Sequence, residues 1–162
     1  MKKYFNLFSV VLLVFLFGCQ SDDESGNGDR FEYSFYENAQ ITLSEFNFSD
    51  VSPGNNLVFR YYFLADENPN ISDDEYAERI IFEIPSDADE FSFTNAELSN
   101  INTYFDKFCF CFIEGSIPIS EGTISGSKIN ATTWEVSIDV SFEDFQLETR
   151  TISERFSLTP LN

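Results

Sequence analysis

Histidine is absent from the whole chain. Its absence removes the commonest general base, the usual nitrogen ligand of transition metals, and every Ser or Cys triad that runs through an imidazole. Basic residues are scarce as well: nine Lys and Arg stand against 28 Asp and Glu, for a formal charge of −19. A surface this negative repels nucleic acid and anionic lipid, and no cluster of Lys or Arg reverses that locally. Long apolar runs are also missing. The apolar run from Tyr4 to Phe17 carries no charge and falls short of the roughly 20 residues that a spanning helix needs.

What the first residues do contain is an address. Met1-Lys2-Lys3 is a short positive region, and the apolar run behind it has the length of a signal-peptide core. It ends in Leu16-Phe17-Gly18-Cys19, which resembles the lipobox of bacterial lipoprotein precursors. The resemblance implies that residues 1–18 are removed and that Cys19 is acylated and becomes the first mature residue. Two or three acyl chains then anchor the protein, since each buried methylene contributes about 0.8 kcal/mol and one chain alone is marginal. Gln20, Ser21, Asp22, Asp23 and Glu24 follow directly. They resemble the acidic export signal of surface-exposed lipoproteins in the Bacteroidetes group, which implies an outward-facing location on the outer membrane. Residues 19–30 form a polar acidic tether, and residues 31–162 remain for a single domain large enough to bury a core.

Period-two patterning dominates that domain. Phe31, Tyr33 and Phe35 alternate with polar neighbours and predict a first strand. Ile41 and Leu43 stand in one phase and Phe46 and Phe48 in the other, so a bulge near Ser44-Glu45 would bring both pairs to one face. Pro53-Gly54 predicts a turn. Leu57 to Leu64 is apolar on both phases except at Arg60, as in a central strand. Ser72-Asp73-Asp74-Glu75 matches a capping box that predicts a helical turn through Arg79, and Thr94-Asn95-Ala96-Glu97 matches a second. Tyr104 to Ile113 reads as one strand, with Phe108, Phe110 and Phe112 on one face and Cys109 and Cys111 on the other. Residues 122–130 and 132–143 predict a hairpin, in which Trp134, Val136, Ile138, Val140 and Phe142 form the clearest buried face of the chain. Phe156 and Leu158 predict a last strand. Eight or nine short strands without a long amphipathic helix imply an all-β fold, an antiparallel sandwich or a small barrel.

Candidate sites are few. Asp66, Glu67, Asn70, Asp73, Asp74 and Glu75 offer enough oxygen for Ca²⁺ but lack the spacing of an EF-hand loop; a solvated loop explains the same residues. No other cofactor is expected. Cys109 and Cys111 lie about 6.6 Å apart in an extended strand, so buried free thiols come first and a disulfide would require a bulge. Two sulfurs without His are too few for a metal centre. Asp87, Asp89 and Glu90, or Asp139, Glu143 and Asp144, offer carboxylate pairs of the kind glycosidases use, though acids this abundant also pair by chance. Tyr61, Tyr62, Phe63, Phe108, Phe110 and Phe112 either fill the core or line a face for an apolar or sugar ligand.

The function implied is a lipid-anchored, non-catalytic binding or assembly module with a protein or glycan partner at the envelope. The alternatives are a lipocalin-like carrier, which needs a Phe-lined cavity, and a carboxylate-based hydrolase, which needs two acids across a cleft. The lipid site gives a direct check. Cys19→Ser should abolish fatty-acid incorporation and leave soluble or uncleaved protein; undiminished lipid labelling of that variant would remove the anchor from the account.

Overall fold

The computed structural model describes residues 28–66, 70–111, 115–144 and 147–161. Ten strands form among them: β1 (Arg30–Leu43), β2 (Ser49–Pro53), β3 (Asn56–Leu64), β4 (Tyr76–Pro85), β5 (Glu90–Thr94), β6 (Tyr104–Cys109), β7 (Ile117–Pro118), β8 (Glu121–Asn130), β9 (Thr133–Glu143) and β10 (Leu147–Leu158). They make one open sheet in the order β5-β8-β9-β10-β1-β3-β4-β6-β7, with β2 paired to β1 beside that path. All pairings are antiparallel except β1 with β10, which run parallel through Ser34–Ser157 and Phe35–Leu158.

The sheet folds over on itself at that short parallel contact, so β9 faces β3 and β6 across a common interior. Trp134 of β9 meets Phe59 of β3 edge-on at 5.4 Å, and Phe142 stacks on Phe105 of β6 at 3.9 Å. The alternation seen in β9 is realised, with residues 134, 136, 138, 140 and 142 all buried. Opposite them, Phe35, Phe59 and Phe82 sit in register across β1, β3 and β4, with rings 5.6 and 5.1 Å apart. The outer side of the β5-β8-β9-β10 half is short and hydroxylic: Ser92, Ser125, Ser137 and Ser153 form one row across four strands.

Several local expectations are corrected. The chain does not bulge at Ser44-Glu45; it reverses there, and the bulge lies at Asn38 (φ 54°), which lets one 14-residue β1 replace two short strands. Past that bulge the β1–β2 hairpin lies on the outer face of the β3-β4-β6 layer. Ile41 and Val51 pack there over Val58 and Ile81, and the Ile41 N–H donates to Glu83 Oε2 at 2.8 Å. At the hairpin's exit, a Cβ on Gly54 would come within 2.5 Å of the Gln40 Cβ, so the close approach requires glycine. The Ser72–Glu75 box forms only a turn, because residues 76–79 are taken into β4 between β3 and β6. The Thr94 box does form. Thr94 N–H and Oγ1 both donate to Glu97 Oε2, at 2.9 and 3.1 Å, and start a 3₁₀ helix (Asn95–Ile101) that buries Leu98 and Ile101.

Trp134 is fully buried, and its indole N–H has no partner in the structure. Trp134→Ala should therefore cost about 3–5 kcal/mol in denaturant unfolding. Trp134→Phe, which keeps a ring and removes the unpaired donor, should cost clearly less; equal losses would contradict this packing.

Candidate interaction surface

Alternation in β3, β4 and β6 sends one set of side chains inward and the next outward onto a face that the β1–β2 hairpin covers only in part. Tyr62, Arg79 and Asp106 occupy one outward row across the three strands. Asp106 is 0% exposed. A buried carboxylate is costly unless its lone pairs are used, and here they are. Its Oδ2 accepts from Ser49 Oγ at 2.5 Å and from Arg79 Nε at 2.8 Å, and its Oδ1 accepts from Ser116 Oγ. Arg79 also donates to the Ser49 carbonyl, and the Ser116 N–H to the Asn47 carbonyl at 2.9 Å. These bonds tie the hairpin to β4, β6 and the turn at Gly115. Gly115 adopts φ 121°, and a Cβ there would meet the Phe46 carbonyl at 2.9 Å, so only glycine fits.

Beside this knot the face is open. The Arg60 guanidinium lies 5.3 Å from the Tyr36 ring and 6.0 Å from the Tyr62 ring, within cation–π range of both. One Arg60 amine donates to Glu32 at 3.2 Å, while its buried Nε–H has no partner in the structure. Tyr62 approaches Phe108 at 6.3 Å; Phe108 stacks with Phe48 at 6.2 Å and carries Arg79 at 5.2 Å. Close by in sequence, Phe46 in the turn between β1 and β2 is 76% exposed and Phe110 in the bend after β6 is 80% exposed. Tyrosine, arginine and phenylalanine gathered on one ordered face are the residue types that dominate protein interfaces.

The proposed aromatic ligand face is thus divided. Tyr61 and Phe63 point into the sandwich, Tyr62 and Phe108 lie on the outer face, and Phe112 is outside the described residues. The reason is that β6 ends at Cys109 and the chain bends at Phe110-Cys111 instead of continuing to Ile113. The same bend brings the Cys109 and Cys111 Cα atoms to 5.2 Å and joins the two residues as a disulfide, which replaces the expected buried thiols; Cys111 is exposed. Asp66, Asn70, Asp73, Asp74 and Glu75 lie in the β3–β4 connection, with Glu67 outside the described residues. Among the described residues no three His, Cys, Asp or Glu side chains gather to hold a metal. Three of the candidate acids have polar partners of their own: Asp139 accepts from Thr151, Asp144 binds Lys107, and Asp89 lies 3.8 Å from Lys128. Cys19, Gln20, Ser21, Asp22, Asp23 and Glu24 also lie outside the described residues.

A second polar cluster, which sequence reading missed, closes one end of the sandwich. Glu78 is buried on the inward phase of β4 and receives Arg150 twice, Nε to Oε2 at 2.8 Å and Nη2 to Oε1 at 2.6 Å, with the Tyr76 hydroxyl also donating to it. Arg150 also binds Glu148 at 2.7 Å, and Lys107 bridges Asp144 and Glu148. Burial alone would raise the Glu78 carboxyl, but the hydrogen bonds from Arg150 and Tyr76 outweigh it and hold the pKa below the ordinary value. Burial and the Glu78 charge push the Tyr61 phenol up to about 12.

Comparison with protein-family models, with curated proteins and with solved structures found no match. Among the described residues, no helix is long and apolar enough to cross a membrane.

The Glu78 cluster carries a pH signature. A lowered folded-state pKa gives stability that is present above the unfolded carboxyl value and lost as pH falls through the folded one. Glu78→Gln should therefore destabilise the domain by about 1–2 kcal/mol at pH 7, and the gap to wild type should close in acid. Unfolding midpoints between pH 7 and pH 3 test this; a gap independent of pH would refute it.

Proposed function

We propose that the protein is an outer-membrane lipoprotein held by acyl chains on Cys19 and exported to face outward. In this reading its single β-sandwich domain is a non-catalytic binding module. Docking takes place on the outer face of β1, β3, β4 and β6, through Arg60, Tyr62, Phe48 and Phe108. The observation that carries the reading is Arg60, held between two tyrosine rings with an unused buried N–H, on an aromatic face within a strongly acidic chain. A partner that presents a carboxylate or carbonyl to that guanidinium and an apolar group to the rings satisfies both features. The interior argues against the carrier alternative, because the two halves of the sheet meet ring against ring. The absence of His and the engagement of Asp139 with Thr151 and of Asp144 with Lys107 both weigh against hydrolysis.

Site-specific photo-crosslinking in intact cells tests the face. A photoreactive residue at Tyr62 should give a discrete adduct that Arg60→Ala weakens about tenfold, whereas one at Ser137, on the hydroxylic face, should give none. Equal adducts from both positions would refute the assignment. Protease shaving of the same cells reports the address: wild type should be cleaved and the Asp22→Ala/Asp23→Ala double variant protected.

A further inference from the structure

The Cys109–Cys111 disulfide has features that a structural staple does not need. It closes a loop across a single intervening residue, and loop-closure entropy is smallest for the shortest loops. Neither sulfur belongs to the buried core clusters, and β6 already pairs with β4 along Tyr104–Cys109 without the bridge. Instead the pair lies at the surface, with Cys111 exposed and Phe110 between them projecting into solvent.

A cavity of about 360 Å³ opens beside it, lined among the described residues by Cys109, Cys111, Gly115, Ile117, Tyr76, Lys107 and Asp144. Cys109 and Lys107 share the inward phase of β6, two residues apart, and both line the cavity, where Lys107 is paired with Asp144. A disulfide reacts by attack of a thiolate on one sulfur, and access to that sulfur governs the rate. If Cys19 carries lipid, as its motif implies, this pair holds the remaining sulfhydryl chemistry of the mature chain.

We propose that Cys109–Cys111 is a redox-active couple, and that the cavity beside it receives a segment of a dithiol protein that exchanges disulfides with it. A thiolate of the partner attacks one sulfur, the Cys109–Cys111 bond breaks, and the other sulfur leaves as thiolate. The partner's second thiolate then attacks the mixed disulfide and releases the first cysteine. The pair gains two electrons and two protons, and the partner's dithiol becomes a disulfide. The couple does not use the Arg60 face, so the two proposals succeed or fail separately.

The full chain is incubated at pH 7.5 with stoichiometric reduced thioredoxin as a protein dithiol or, separately, with dithiothreitol, then alkylated and weighed. Both reagents should reduce the pair within minutes, leaving the melting temperature within a few degrees of the oxidised form. A thioredoxin variant lacking its second cysteine should be trapped as a one-to-one adduct that Cys109→Ser/Cys111→Ser abolishes. Ile117→Trp, which fills the cavity, should slow thioredoxin about tenfold without slowing dithiothreitol. Resistance of the pair until global unfolding would overturn the proposal, as would unfolding on reduction. Reduction by dithiothreitol alone, or purification with free thiols from an oxidising compartment, would overturn it equally. A misfolded Ile117→Trp leaves the trapping result on the natural chain to decide.

Discussion

Phe59 is the point at which one open sheet becomes a sandwich. Its ring lies within 6 Å of five others: Phe35, Phe82, Phe91, Trp134 and Phe156, from β1, β4, β5, β9 and β10. A sheet held together at its middle by only two registered residue pairs of β1 and β10 has little backbone hydrogen bonding to keep its halves facing each other. Ring contacts supply what that short ladder does not, each aromatic pair adding about 0.5–1.5 kcal/mol beyond its area. Phenylalanine suits the task because it buries a large surface and brings no polar atom that needs a partner.

The interior is filled, and the two outer faces differ in kind. On the β5-β8-β9-β10 half, short hydroxylic side chains repeat in rows, with the acids Glu135 and Asp139 between them. On the β1-β3-β4-β6 half, the folded-over hairpin buries part of the face and frames the rest with aromatic rings and Arg60. The frame depends on Asp106. Its carboxylate is satisfied only while Ser49, Arg79 and Ser116 stay in place, so the hairpin, two strands and a turn are fixed together.

The parts of this structure legible in the sequence are those where one phase is apolar and the other polar. Residues 133–143 satisfy that throughout, and β9 and its hairpin with β8 follow the expectation closely. Tyr61-Tyr62-Phe63 is aromatic on both phases, so alternation alone does not say which ring enters the core; the register with Phe31 and Ile80 decides. Two capping boxes of equal local quality had opposite outcomes. The box at Ser72 precedes residues that gain hydrogen bonds from β3 and β6 together, and sheet pairing outcompetes a four-residue cap. The box at Thr94 follows a five-residue edge strand with nothing beyond to extend it, so the cap prevails. Arg60 was visible as the one charge in an apolar strand, whereas the pairing of Glu78 with Arg150 spans 72 residues and leaves no local trace.

Adjacent residues of β4 connect the two polar knots. Glu78 points inward to Arg150, and Arg79 points outward to Asp106. Because β4 is hydrogen-bonded on both edges, by β3 and β6, neither side chain is free to shift without the other's strand. The interior charge cluster and the outer aromatic face are therefore positioned by the same stretch of rigid backbone. Rigidity of this kind matters for binding, since ordering a loose arginine or aromatic side chain at an interface costs about 0.5–1.5 kcal/mol each. Arg60 is already held between Tyr36 and Tyr62, and Phe108 between Phe48 and Arg79, so on the proposed docking face much of that ordering is built into the fold.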